Sequence, residues 1–193
     1  MELQDKPLDP QESLQLIQKF ISGERHNIRR FAFSLIFWGI LIPVAALLQY
    51  FLIQFTDFKM PWLSWAILMP AGFISTILYF KSRGKKDKTT SSKGIFLRWL
   101  FIWSGVTYFL LAFLCIALNT TPMPFMLVLT SLLIGVSGLV LHYKPMFWGG
   151  ILFFLAAIAC VFITPINQLL LMAIALILGY LLPGILLIRK KPE

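Results

Sequence analysis

The 193-residue chain is 59% hydrophobic, only 13% charged, and carries a formal net charge of +9. Soluble domains have about 25% charged residues, and a soluble core could not bury this much apolar surface. The composition therefore excludes an ordinary soluble domain and indicates a chain whose apolar side chains face lipid.

The first 30 residues are polar and mixed in charge, unlike a cleavable signal peptide. Asp9 as a cap followed by Pro10 predicts a helix start, and Gly23 predicts its end. Between them, apolar residues recur at helical spacing. We expect a short amphipathic helix that lies on the lipid interface. The alternatives are disorder or a docking face for a cytosolic partner or a second copy, made by Leu14, Ile17, Phe20 and Ile21.

Six apolar runs follow, each near the roughly 20 residues that a helix needs to cross a bilayer. The predicted fold class is all-α, a bundle of six transmembrane helices. Residues 1–30 form an N-terminal segment, 31–188 the transmembrane domain and 189–193 a basic tail. The fifth run is short, so five spans plus a re-entrant segment is the alternative. The runs are 31–55, 61–80, 95–118, 122–141, 146–163 and 167–188.

Basic residues alternate between the connectors. Of the 17 lysines and arginines, only Lys59 lies on one side of the predicted bundle. Basic residues near membrane segments stay in the cytoplasm. This bias predicts that both termini are cytoplasmic and that the number of spans is even. The net charge is thus a topology signal and does not indicate nucleic-acid binding.

No Asp, Glu, His or Lys falls inside a predicted span, and Arg98 lies one turn from a span end. Intramembrane ionisable groups mark proton relays and coupled transporters, and general acids and bases are drawn from the same residue types. Cys115 and Cys160 show no metal-ligand spacing, and we expect them to be buried thiols. The sequence therefore predicts no metal site, no cofactor and no enzymatic activity.

Three prolines interrupt predicted spans. Pro43 and Pro70 fall near mid-depth, and Pro183 follows Gly179 in the last span, the most plausible hinge by composition. Proline removes a backbone hydrogen bond and kinks a helix. We expect ordinary packing kinks. The alternative is that broken helices at mid-depth expose backbone groups to a solute.

Hydroxyl residues and small-xxx-small pairs are spread through the spans, for example Ser131 with Gly135 and Ala175 with Gly179. Such pairs let helix backbones approach, and hydroxyls bond between helices. We expect packing rather than ligand binding from them.

The long connector is strongly basic. Each basic residue near an anionic leaflet contributes about 1 kcal/mol of attraction. We expect this connector to bind anionic lipid head groups, and an acidic partner protein is the alternative. The residues are Lys81, Arg83, Lys85, Lys86 and Lys88.

Three short motifs accompany this pattern: Glu12–Ile17 ahead of the first span, Phe37-Trp38-Gly39 within it, and Gly179–Gly184 before the basic C-terminus. With these motifs the chain resembles small uncharacterised multi-pass inner-membrane proteins of bacteria. The resemblance implies a bacterial inner membrane and carries no activity or site residue with it.

Two functions fit this sequence. The first is a non-catalytic membrane partner, a subunit, scaffold or sensor, favoured by the cytoplasmic helix, the basic connector and the lack of buried chemistry. The second is a facilitator or transporter of a neutral or apolar solute, favoured by the mid-depth prolines and the hydroxyls in the spans.

Overall fold

The computed structural model describes residues 10–56, 58–83 and 92–189, and their side chains except those of 10–31, 80, 82, 83 and 92. The described part is helical, with no strand, which confirms the predicted all-α class. The helices are α1 (Pro10–Phe55), α2 (Leu63–Arg83), α3 (Ser92–Ala117), α4 (Met123–Val140), α5 (Lys144–Val161), α6 (Pro165–Leu176) and α7 (Leu182–Arg189), with a π-helical turn (Ile177–Leu181) between the last two.

Within the described residues, five segments are long and apolar enough to cross a membrane: Ala32–Phe55, Lys93–Ala117, Met123–Val140, Lys144–Val161 and Pro165–Arg189. The apolar part of α2, Leu63–Tyr79, is shorter. The fifth run, which the sequence predicted to be short, is the 18-residue helix α5, and it is long and apolar enough to cross a membrane. Pro145 sits in its first turn, where proline is tolerated, so the helix begins before the apolar run.

The first helix is longer than the sequence predicted. Its described part runs from Pro10 through Gly23 to Phe55 without a break. A single glycine in a helix interior costs only about 1 kcal/mol, and no proline follows Gly23 to stop the helix. The predicted helix end at Gly23 is thus wrong. The side chains of Leu14, Ile17, Phe20 and Ile21 lie outside the described set, so their docking face stays a prediction.

Two tight connectors end helices with a left-handed residue. His142 has φ 52°, its N–H donates to the Leu139 carbonyl at 3.1 Å, and the N–H of Tyr143 donates to Gly138 at 2.9 Å. This pair of bonds is a Schellman motif, which satisfies carbonyls at the end of α4. Asn119, with φ 53°, ends α3 in the same way. The short connectors force α3, α4 and α5 to run antiparallel.

The backbones of α4 and α5 approach each other closely through glycines. A Cβ on Gly150 would stand 2.7 Å from Cα of Gly135, and a Cβ on Gly138 would stand 2.5 Å from the Phe147 nitrogen. Ser131 Oγ donates to the Gly150 carbonyl at 2.8 Å. The predicted packing role of the Ser131–Gly135 pair is therefore confirmed.

Four elements form a central core. On one side α5 packs on α4, and on the other it packs on the last helical segment, Pro165–Arg189, which also packs on α1. α2 flanks α1, and α3 flanks α4. Phe73 of α2 meets Phe109 of α3 with ring centroids 6.3 Å apart. We call the end where α2 and α4 finish the basic end, and the other the opposite end.

Replacing Gly150 by alanine tests the α4–α5 contact. Gly150→Ala must push the two backbones apart, and we expect a loss of about 1–3 kcal/mol, seen as a lower melting temperature in detergent. Gly135→Ala is the matched control, because no atom lies within 4 Å of its Cβ position. Alanine there gains about 1 kcal/mol of helix propensity. Equal melting temperatures for the two variants would contradict this packing.

Candidate functional site

The last helical segment widens at the π-helical turn. Pro183 has no N–H to donate to the carbonyl of Gly179, and its ring crowds that carbonyl. Within the turn, the N–H of Leu182 donates to Ile177, five residues back, as π geometry requires. π-helical turns are rare and recur at functional sites. The hinge predicted at Gly179 and Pro183 thus coincides with the irregular backbone, while its motion stays a prediction.

Two neighbouring helices contact this turn through glycines. A Cβ on Gly39 of α1 would stand 3.0 Å from the backbone of Leu181. A Cβ on Gly149 of α5 would stand 2.6 Å from the Gly179 carbonyl oxygen, and one on Gly179 would stand 2.7 Å from the ring of Phe153. The π-helical turn therefore lies between α1 and α5, and there is no room for a side chain at Gly39, Gly149 or Gly179.

The two glycines that contact the turn belong to the same short motif. Phe37-Trp38-Gly39 and Phe147-Trp148-Gly149 occur on α1 and α5. Trp38 packs on the core and its ring meets Phe73 of α2 at 6.2 Å, whereas Trp148 is exposed. Both motifs place a glycine against the π-helical turn, whereas Trp38 is packed on the core and Trp148 is exposed.

A tyrosine from the α4–α5 connector reaches the same segment. Tyr143 is buried, and its Oη donates to the Pro183 carbonyl at 3.4 Å. Burial raises the pKa of the Tyr143 hydroxyl, so it remains a neutral donor at physiological pH. The basic end of the bundle is thus linked to α7 across the helix interface.

One buried hydroxyl belongs to the π-helical turn, and a hydrogen-bonded hydroxyl pair lies between α3 and α4. Tyr180, in the turn itself, is 6% exposed and packs edge-to-face on Phe153 with centroids 6.3 Å apart. Tyr108 of α3 forms a separate hydroxyl pair with α4. Its Oη is 2.6 Å from Thr130 Oγ1, and Thr130 donates to Met126 at 2.7 Å. Because the Thr130 proton is used, Tyr108 is the donor of the pair.

Most other hydroxyls in the helices turn onto their own backbone. Each donates to the carbonyl four residues earlier, which satisfies it without a partner helix or a ligand. These hydroxyls belong to Ser75, Thr76, Thr107 and Ser137. Bonds between helices are made instead by Ser131 and by the Tyr108–Thr130 pair.

One buried amide closes the end of α5. Gln168 of α6 is 4% exposed, and its Nε2 donates to the Cys160 carbonyl at 2.8 Å and to Ile163 at 3.4 Å. Cys160 lies in the last turn of α5 and Ile163 just beyond it, where carbonyls lack the N–H of a following helical turn. Gln168 was missed from the sequence, because the bond depends on how α6 folds back on α5.

The prolines at mid-depth do not meet. Pro43 is buried on the α1 face that packs on the last helical segment, and Pro70 is exposed on α2. Neither ends its helix. Cys115 and Cys160 are buried free thiols, as expected. Pro183 therefore lies two residues after the irregular turn that contains Gly179, and Pro70 lies apart from both.

The described residues contain no group of three His, Cys, Asp or Glu side chains that could hold a metal ion. The site chemistry is that of neutral hydroxyls and backbone carbonyls. Comparison with known proteins gives no function, because no protein-family model, no curated protein and no solved structure matches the chain.

A double-mutant cycle tests the contact between Gly179 in the π-helical turn and Phe153 of α5. Gly179→Ala drives a methyl group into the fully buried Phe153 ring, and we expect a loss of about 1–3 kcal/mol in detergent melting. Phe153→Leu shortens that side chain. The double variant should lose about 1 kcal/mol less than the sum of the two single losses. Strict additivity would show that the two residues do not contact.

Proposed function

We propose that the chain is a six-span protein of the bacterial inner membrane, with both termini in the cytoplasm, that acts as a non-catalytic membrane partner. In this role it is a subunit, scaffold or sensor that works through another protein. The bacterial inner membrane rests on the resemblance described above. The remaining elements of the proposal rest on the arrangement of the helices.

The contacts between α2 and α1 support the sixth span. Near the opposite end, Trp65 Nε1 donates to Gln49 Oε1. Near the basic end, Tyr79 stacks on Phe33 with centroids 4.1 Å apart. α2 therefore follows α1 over most of its apolar length. Its apolar part, Leu63–Tyr79, covers about 25 Å at 1.5 Å per residue, close to the roughly 30 Å of the hydrocarbon layer.

The position of the charges supports the orientation. Described basic residues at the basic end include Lys81, Lys93, Lys144 and Arg189, whereas Lys59 lies at the opposite end. Cytoplasmic connectors carry the excess of lysine and arginine. An arrangement with the basic end in the cytoplasm agrees with this rule.

The continuous first helix is the observation that carries the partner role. The part of α1 from Pro10 to Phe31 extends the apolar span by about 33 Å at 1.5 Å per residue. A partner bound to this extension would be joined by one helix to the buried stripe of α1. That stripe packs on the last helical segment, including the π-helical turn. A force or displacement applied at the extension would thus reach the core through one continuous helix.

Making the proposed docking face polar tests this role. We expect Leu14→Gln/Ile17→Gln/Ile21→Gln to reduce recovery of a stoichiometric partner about tenfold or more, since buried apolar anchors dominate interface energies. Partner recovery is measured by photo-crosslinking from position 20 in cells, followed by purification in mild detergent and mass spectrometry. The matched control is Gln11→Ala/Gln15→Ala/Gln18→Ala, which changes the polar residues of the same helix. Equal recovery from both variants, or a pure homo-oligomer without partner, would contradict the proposal.

A facilitator of a neutral solute is the second candidate, favoured by the buried Tyr180 in the irregular turn and by the Tyr108–Thr130 hydroxyl pair between α3 and α4. In liposomes, such a facilitator should conduct glycerol, and Pro43→Ala should change the flux because Pro43 is buried against the last helical segment. Pro70→Ala is the control, since Pro70 faces outward. Flux equal to that of protein-free liposomes would rule out this activity for glycerol-sized solutes.

A further inference from the structure

The two outer helices, α2 and α3, contact each other through the ring of Phe73. One ring carbon of Phe73 lies 3.5 Å from the position that a Cβ on Gly105 would take, and its ring centroid is 6.3 Å from that of Phe109. Gly105 is midway along the span Lys93–Ala117. Gly105 and Phe109 therefore mark the side of α3 that faces α2.

Between this contact and the basic end, the facing sides of the two helices are open. Ile77 lies one turn beyond Phe73 on α2, and Ile102 lies one turn before Gly105 on α3. Their side chains are 56% and 45% exposed. Side chains at these positions would be buried if the helices packed against each other here. α2 and α3 therefore form an open cleft with apolar walls, which we call the α2–α3 cleft.

Each wall of the α2–α3 cleft carries a basic residue at the basic end. Residues four or seven positions apart lie on the same face of a helix. Arg98 lies four residues before Ile102 and seven before Gly105, so it shares the face of α3 that is turned toward α2. Lys81 lies four residues after Ile77 on α2. Both basic side chains are exposed.

The spans offer no carboxylate to these two cations. Asp87, in the connector, is the single acidic residue of the sequence between positions 58 and 192. Arg98 lies five residues beyond Lys93, about 8 Å inside the start of the span. This depth adjoins the head-group layer, and a guanidinium binds phosphate oxygens in a bidentate manner. The charge and the depth therefore suit the phosphate of a phospholipid.

We propose that the α2–α3 cleft binds one anionic phospholipid, with its phosphate between Arg98 and Lys81. One acyl chain lies along Ile77 and Ile102 and reaches Phe73. Two cations at one phosphate favour a head group with a net negative charge, because they repel the ammonium group of a zwitterionic lipid. This site differs from the general attraction of the basic connector to a leaflet, because it requires Arg98 and the cleft.

The lipid site goes beyond the partner role and does not depend on it. It requires that α2 and α3 lie in lipid, whichever end of the bundle faces the cytoplasm. Lipid binding is measured without a protein partner, so failure of one proposal leaves the other standing.

The first test is native mass spectrometry of the full chain, purified in mild detergent and titrated with phosphatidylglycerol or with phosphatidylcholine of the same acyl chains. We expect one phosphatidylglycerol per chain, bound at least about fivefold more tightly than phosphatidylcholine, the equivalent of about 1 kcal/mol. Equal binding of the two lipids would overturn the anionic site.

Removal of charge tests the position of the phosphate. Arg98→Gln and Lys81→Gln should each weaken phosphatidylglycerol binding about fivefold. The matched control is Arg189→Gln, which removes the same charge from the end of α7, a helix that packs on α1 and α5. Equal binding by Arg98→Gln and Arg189→Gln would show that the phosphate does not lie in the α2–α3 cleft.

Filling the cleft tests the position of the acyl chain. Ile102→Trp places a large ring between the two walls, and we expect it to weaken phosphatidylglycerol binding about tenfold or more. Leu114→Trp is the control, because Leu114 is also exposed and lies two and a half turns from Gly105, on the side of α3 turned away from α2. Equal effects of the two tryptophans would overturn the site.

Discussion

The solvent for this chain is hydrocarbon, and that constraint governs the rest of the structure. Backbone groups must bond within helices, and packing apolar side chains between helices displaces lipid that is equally apolar. Stability then comes from close backbone approach. α5 shows this most clearly, because the adjacent glycines Gly149 and Gly150 face different neighbours. Gly149 lies against the π-helical turn, and Gly150 lies against α4. A side chain at either glycine would push α5 away from one side of the core.

The irregular turn follows from the same constraint. Pro183 deprives the Gly179 carbonyl of its usual N–H donor, and an unbonded carbonyl exposed to hydrocarbon is energetically costly. The backbone of Gly149 lies directly against the Gly179 carbonyl, and the Tyr143 hydroxyl donates to the Pro183 carbonyl. The core of α1, α4, α5 and the last helical segment is therefore tightly closed. α2 and α3 lie outside it and expose most of their surface.

The all-α class could be predicted from the apolar composition and the length of the apolar runs. Helix facing could not, because a helix that is apolar all round has no periodic signal. Pro43 and Pro70 looked equivalent in sequence, yet one is buried and the other exposed. Gly179 and Pro183 could be singled out by composition. Their partners Gly39, Gly149 and Phe153 could not, since pairing across helices is a property of the fold. The recurring Phe-Trp-Gly triplet was the one available signal for the two glycines.

The central claim is that six helices cross the bilayer with the basic end in the cytoplasm, and labelling of single cysteines tests it most directly. Cys115→Ala/Cys160→Ala provides the background, and cysteines are introduced at Met60, Lys81, Asn119 and Lys144, all exposed positions in the structure. The account predicts that a membrane-impermeant maleimide added to intact cells labels positions 60 and 119. It should label positions 81 and 144 only after the membrane is opened. Labelling of 60 and 81 from the same side would contradict the account, because α2 would then not cross the membrane.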